Sequence, residues 1–208
     1  MFSVWWISPL AGLAVFYLFS IAHFAHDWDE AQQPFFAHAI AVALLSAPAL
    51  SHAIALKGLF VALTGDPRAT LLVDVLILIA PVATIVALVG LATMDAAQRK
   101  VEGICALAAM FVLPPVIGFA VFFCLFHSPR HFREGWAALG PNVLPSISVR
   151  VAAMTVAGFG IAALIYAATG SLNIPSSLFV TGMMTLSVLT VPHMLLANII
   201  NRMGGSAV

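Results

Sequence analysis

Six long apolar runs alternate with short polar punctuation along the chain, at approximately Val4–Phe24, Phe35–Leu63, Thr70–Met94, Val101–Phe126, Val149–Ala168 and Ser176–Ile200. As helices rising about 1.5 Å per residue, all six are long enough to cross a hydrocarbon layer of about 30 Å. The runs are continuous and do not alternate, which favours helices over a transmembrane barrel. Breakers separate them: Asp27 to Pro34, Gly65-Asp66-Pro67, Asp95 to Lys100, Gly140-Pro141 through Pro145, and Gly170 to Pro175. The pattern predicts an all-α fold, a polytopic membrane helix bundle of about six transmembrane helices, in a single integral membrane domain over residues 1–208. Met1-Phe2-Ser3-Val4-Trp5-Trp6 offers no basic n-region or cleavage site, so the first run reads as a retained helix and not a secretory signal.

Two runs are interrupted. Pro48 falls midway along the second, with Ser51-His52 close behind, and Pro114-Pro115 divides the fourth. Proline removes a backbone donor and clashes with the preceding turn. At membrane depth such an interruption persists only where protein or water satisfies the released groups. The prolines predict kinks or breaks at these two places.

Composition sharpens the class. The chain is 62% hydrophobic and 8% charged, where soluble domains carry about 25% charged residues. Its surface must be solvated by the lipid bilayer, which points to a multi-pass protein of the cell (inner, cytoplasmic) membrane. A formal net charge of zero removes the electrostatic basis for binding nucleic acid. If all six runs cross with the N-terminus inside, Lys57, Arg68, Arg130, Arg133, Arg150 and Arg202 fall on the cytoplasmic face and only Arg99 and Lys100 outside. That arrangement would end the first and fourth runs on opposite faces and separate His23 from His127, unless the histidines converge near mid-depth or one interrupted run does not fully cross. Cys105 and Cys124 lie in apolar stretches and read as small hydrophobes. Asp74, near one end of the third run, reads as interfacial.

The candidate chemistry lies in seven histidines. His127 and His131 are four residues apart in Phe126-His127-Ser128-Pro129-Arg130-His131, a spacing that lets two imidazoles face one ion. Alternatively, Arg130 and Arg133 anchor the chain at the bilayer edge and the histidines accompany them. His23 and Asp27 are also four apart, so the carboxylate could orient the imidazole, with His26 as a substitute for His23. The other reading is a polar helix end at the interface. His193 lies deep in the last run, as a core residue or a ligand. His38 and His52, without acidic neighbours, read as structural, and Ser51-His52 lacks the acid that a nucleophilic serine requires. Polar clusters next to lipid are expensive, and by default mark function.

Ser20-Ile21-Ala22-His23-Phe24-Ala25-His26-Asp27, followed about a hundred residues later by Phe126-His127-Ser128-Pro129-Arg130-His131, resembles the Brp/Blh family of bacterial and archaeal β-carotene 15,15′-dioxygenases. Thr190-Val191-Pro192-His193-Met194 is similar to the family's C-terminal helix. The resemblance implies a membrane enzyme that uses Fe(II) held by histidines, and O2, to split β-carotene or a related carotenoid into retinal. A microbial rhodopsin would be a possible recipient of the product. Position by position it assigns His23, His127 and His131 as iron ligands. The family's further histidine–glycine motif has no counterpart before His23, and Ala25 stands where the family has glycine. His193 is then the candidate fourth ligand. Within that reading Asp27 orients His23, Arg130 pairs with an acid, and His26, Phe35, Phe36, Met183 and Met184 line the substrate.

Three other readings compete. A di-iron hydroxylase or desaturase would need more histidines, some adjacent. A haem-binding anchor or electron-transfer subunit would use His23 and His193 as axial ligands. A non-catalytic polytopic membrane protein would carry the histidines incidentally.

Overall fold

The computed structural model describes residues 7–29 and 33–130, and among these the chain is helical with no strand. The helices are α1 (Pro9–Ala25), α2 (Pro34–Ser51), α3 (Ala53–Thr64), α4 (Thr70–Thr93), α5 (Ala97–Val112) and α6 (Pro115–Val121). A 3-10 turn at His26–Trp28 closes α1, another at Pro67–Ala69 leads into α4, and a π-helical turn at Phe122–His127 extends α6. All six belong to one unit of the chain, Pro9–Ala137. The fifth and sixth apolar runs lie outside the described residues.

Both interrupted runs are broken, each into two helices. The second continues one turn past Pro48, where the His52 N–H reaches the Pro48 carbonyl at 2.9 Å. His52 itself leaves helical geometry (φ −132°, ψ 38°) and α3 starts beyond it. The fourth stops before Pro114, because a residue preceding proline is pushed out of the helical region. Pro115 then opens α6, at a position where a missing N–H costs nothing. There the chain doubles back: a Cβ on Gly118 would lie 3.2 Å from the Ala109 carbonyl oxygen and 3.4 Å from Met110 Cα. The fourth run is therefore a helical hairpin, and the far end of α6 returns to the start of α5.

The turn of that hairpin leaves a carbonyl to be satisfied. In a continuous helix the Phe111 carbonyl would accept from residue 115, which is proline. Ser51 Oγ, at the end of α2, donates to it instead. With the hydroxyl hydrogen committed to Phe111, the contact of 2.8 Å between Ser51 Oγ and His52 Nδ1 runs from the ring N–H to the oxygen. A nucleophilic serine would need the opposite polarity. Ser51-His52 is a structural link between α2 and α5.

Small residues let the helices approach. The α2–α4 interface is the most extensive among the described elements. Buried small residues recur in both helices, Ala37, Ala41, Ala43 and Ala47 in α2 and Ala80, Ala87 and Gly90 in α4. Helices in lipid associate through such close contacts because hydrocarbon gives no hydrophobic drive between them. A Cβ on Gly90 would sit 2.8 Å from Phe36 Cβ. The opposite side of α4 exposes Leu71, Val75, Leu78, Val82, Ile85 and Val89. This i, i+4, i+7 stripe of bare apolar side chains is what a lipid solvent permits and water does not. Pro9–Trp28, Pro34–Ser51 and Pro67–Thr93 are each long and apolar enough to cross a membrane. Cys105 and Cys124 are exposed thiols on the outside of these helices, not buried ones. Asp74 pairs with Lys57 of α3 at 2.6 Å.

The hairpin also revises the charge count. Arg99, at the start of α5, and Arg130, just past the π turn, both donate to the Asp27 carbonyl. They share one end of the bundle, so the six-against-two division that placed them on opposite faces does not hold.

Candidate functional site

The site forms where α1 ends. An α-helix steps about 100° per residue, but over His26–Trp28 the chain tightens to a 3-10 turn, which steps about 120°. There Asp27 Oδ2 lies 2.6 Å from His127 Nδ1, and each residue is only 4% exposed. A carboxylate only accepts, so the Nδ1–H of His127 donates to it. In the neutral ring Nε2 is then the nitrogen that carries the lone pair. A charge-assisted bond this short, in so dry a place, fixes both the tautomer and the plane of the ring.

The π turn brings His127 to that position. In an α-helix residues five apart point about 140° away from each other. The i→i+5 turn absorbs one extra residue, as π turns at functional sites commonly do. Phe122 and His127 therefore share the buried face, their ring centres 6.2 Å apart. Phe24 packs edge-on against both, at 5.1 Å from Phe122 and 4.9 Å from His127. Phe123 lies 5.1 Å from His127 on another side. The half-buried His23 ring completes the surround, with its centre 5.0 Å from that of His127 and at 73° to it.

A second layer is charged. Arg99 Nη2 and Arg130 Nη1 converge on the Asp27 main-chain carbonyl. Arg99 Nη1 lies 2.5 Å from Glu102 Oε2, and its guanidinium carbon sits 4.8 Å from the centre of the Trp28 ring. Among the described residues Asp27 and Glu102 place two carboxylates beside the two arginines. These four residues, with Trp28, Phe122, Phe126 and His127, line a small pocket.

The sequence model of the β-carotene 15,15′-dioxygenase family matches residues 1–201. The chain belongs to that family. No curated protein and no solved structure shows a significant match. The family activity, carotenoid dioxygenation, is an oxidoreductase reaction, and the match takes in every histidine of this β-carotene 15,15′-dioxygenase relative.

Of the residues that the sequence nominates in this member of the dioxygenase family, the structure gathers His23, Asp27, His127 and Arg130 at one end of the bundle. Asp27 Oδ2 meets the imidazole of His127, and the ring of His23 stands 5.0 Å from that ring by centres. Arg130 donates to the Asp27 main-chain carbonyl. His26 is exposed. Phe35 is 64% exposed at the start of α2, and Phe36 is packed against α4 beside Gly90. None of these three lines the pocket at His127. His131, His193, Met183 and Met184 lie outside the described residues. Arg99, Glu102 and Trp28 were not nominated. Their signal was present as an opposite-charge pair three residues apart, Arg99 and Glu102, at the head of an apolar run.

The ring-centre separation of His23 and His127 matches that of two imidazoles on one ion. Two imidazoles bound through metal–nitrogen distances of about 2.1 Å have ring centres roughly 5 Å apart, and the carboxylate behind His127 is the usual orienting partner of a ligating imidazole. Among the described residues no third histidine, cysteine or acid joins them in a metal-binding group.

Proposed function

We propose that this protein is a membrane-embedded, non-haem iron dioxygenase that cleaves the central double bond of β-carotene, or of a related carotenoid, with O2. Both oxygen atoms end in the products, and one β-carotene gives two molecules of retinal. The observation that carries the reading is the buried Asp27–His127 pair, with a second imidazole 5.0 Å away by ring centres, in a chain matched to this family over residues 1–201. His23 and His127 would hold the iron together with His131 and His193. Fe(II) bound by neutral imidazoles keeps its positive charge and open positions, and so supplies the O2 activation that the reaction needs.

The chain's own residues would do the rest. Asp27 holds the His127 ring in one orientation and one tautomer. Phe24, Phe122 and Phe123 wall that ring off from water and offer an apolar, aromatic surface to a polyene. The substrate is wholly apolar and reaches such a surface through the lipid, in the cytoplasmic membrane. Phe35, Phe36, Met183 and Met184 would meet it along that route, and retinal leaving by it could pass to a microbial rhodopsin. The dedicated test is expression in carotenoid-producing bacteria. Loss of the orange colour with accumulation of retinal is expected, and His127→Ala should abolish both retinal formation and iron binding. A His127→Ala protein that retains both overturns the proposal.

A further inference from the structure

The bond between Asp27 and His127 depends on where the Asp27 main chain is held, and that position is set from outside α1. Asp27 is the middle residue of the 3-10 turn that closes the helix. Carbonyls at a helix C-terminus lack intrahelical donors and carry the negative end of the helix dipole, so they attract cations. Two arginines from the hairpin answer, Arg99 from its first arm and Arg130 from its end. Arg99 is held at several points. Its side chain is 14% exposed, its second terminal nitrogen is bound to Glu102, and its planar face covers Trp28, the residue next to Asp27. One rigid group thus grips the turn by a carbonyl and by an indole while a carboxylate of its own helix anchors it. A lysine could supply the charge but neither the fork nor the flat face.

We propose that Arg99 is a positioning residue for His127: by clamping the Asp27-Trp28 main chain it sets where the Asp27 carboxylate stands, and so how the imidazole is oriented. The consequence for iron rests on the proposed reading of His127 as a ligand, whereas the consequence for the hydrogen bond does not. Gly103 supports the assignment. A Cβ there would lie 2.4 Å from Leu91 Cδ2 and 3.2 Å from Trp28 Cη2. The bare backbone at this point lets α5 come close enough for Arg99 to reach over Trp28.

The test uses the full chain in lipid nanodiscs with 15N-labelled histidine, following the Nδ1–H proton of His127, which is assigned by its disappearance in His127→Ala. Arg99→Gln should shift this resonance and speed its exchange with water by about tenfold or more, and Arg99→Lys should fall between. Lys100→Gln, whose amine instead reaches the Ala92 carbonyl at 3.0 Å, should change nothing. An unchanged resonance and exchange rate in Arg99→Gln overturns the proposal, as does an equal effect of Lys100→Gln. If Arg99→Gln fails to fold, Arg99→Lys and Glu102→Gln decide it in the same way: faster exchange supports the clamp and wild-type exchange refutes it. In a parallel titration, Arg99→Gln should weaken Fe(II) binding by about 10- to 100-fold. If His127→Ala leaves iron binding intact, the iron reading fails while the exchange experiment still decides the role of Arg99.

Discussion

Replacing Asp27 tests the centre of the argument most directly. The carboxylate accepts from His127 Nδ1–H at 2.6 Å, and the two side chains are 5% and 4% exposed. A hydrogen bond to an ionised group contributes about 1.5–3 kcal/mol, against roughly 1 kcal/mol for a neutral one. Asp27→Asn keeps the shape and one acceptor oxygen but loses the charge, so it should cost about 1–2 kcal/mol. Asp27→Ala removes the acceptor altogether. It buries the His127 N–H unsatisfied and removes a negative charge from beside two guanidinium groups, which should cost about 3 kcal/mol, the scale of a broken buried pair. Denaturant titration in lipid nanodiscs would measure both variants, and retinal formation should fall by about 10- to 100-fold in Asp27→Ala, as expected when the partner behind a ligating imidazole is lost. A double-mutant cycle between Asp27→Ala and His127→Ala should return a coupling energy of about 1–3 kcal/mol. A coupling near zero, or an Asp27→Ala protein with wild-type stability and turnover, would refute the pairing.

Three other outcomes follow from the same geometry. Ser51→Ala takes the donor from the Phe111 carbonyl at the proline-broken hairpin and should destabilise the bundle by about 0.5–2 kcal/mol in a denaturant titration; a neutral result would mean that solvent satisfies that carbonyl. Because the π turn holds one residue more than an α turn, deleting exposed Leu125 should convert it to an α turn with His127 still on the buried face. Inserting one alanine after Leu125 should rotate His127 by about 100° and abolish retinal formation, and the reasoning fails if the deletion is as damaging as the insertion. Gly90→Ala places a methyl group 2.8 Å from Phe36 Cβ and should cost about 1–3 kcal/mol. Gly58→Ala, with nothing within 4 Å, should be neutral or stabilising by up to about 1 kcal/mol; equal thermal midpoints for the two variants would contradict the close α2–α4 packing.

Much of the architecture follows from properties that a sequence carries locally. The length and apolarity of the runs determine a helical protein solvated by lipid, because backbone groups in hydrocarbon must be satisfied within the helix. Pro114-Pro115 marks where one of those helices fails, since a missing N–H and a steric clash need no tertiary context, whereas Pro48 is carried inside α2 one turn ahead of its end and Pro81 inside an unbroken α4. Histidines beside lipid mark where chemistry is worth seeking. The family resemblance rests on the same short stretches, and the match over residues 1–201 bears it out.

What spacing along one helix could not decide is which partner each group meets. Four-residue spacing points from Asp27 to His23 and gives no sign of His127, which belongs to another helix. Asp27 meets an imidazole one hundred positions away because the proline break folds the fourth run back on itself and a π turn re-aims its end. Arg99 looked like a marker of topology. It became part of the site only once that hairpin brought its helix start against the close of α1, since a carbonyl at a helix terminus takes its donor from whatever the fold places beside it.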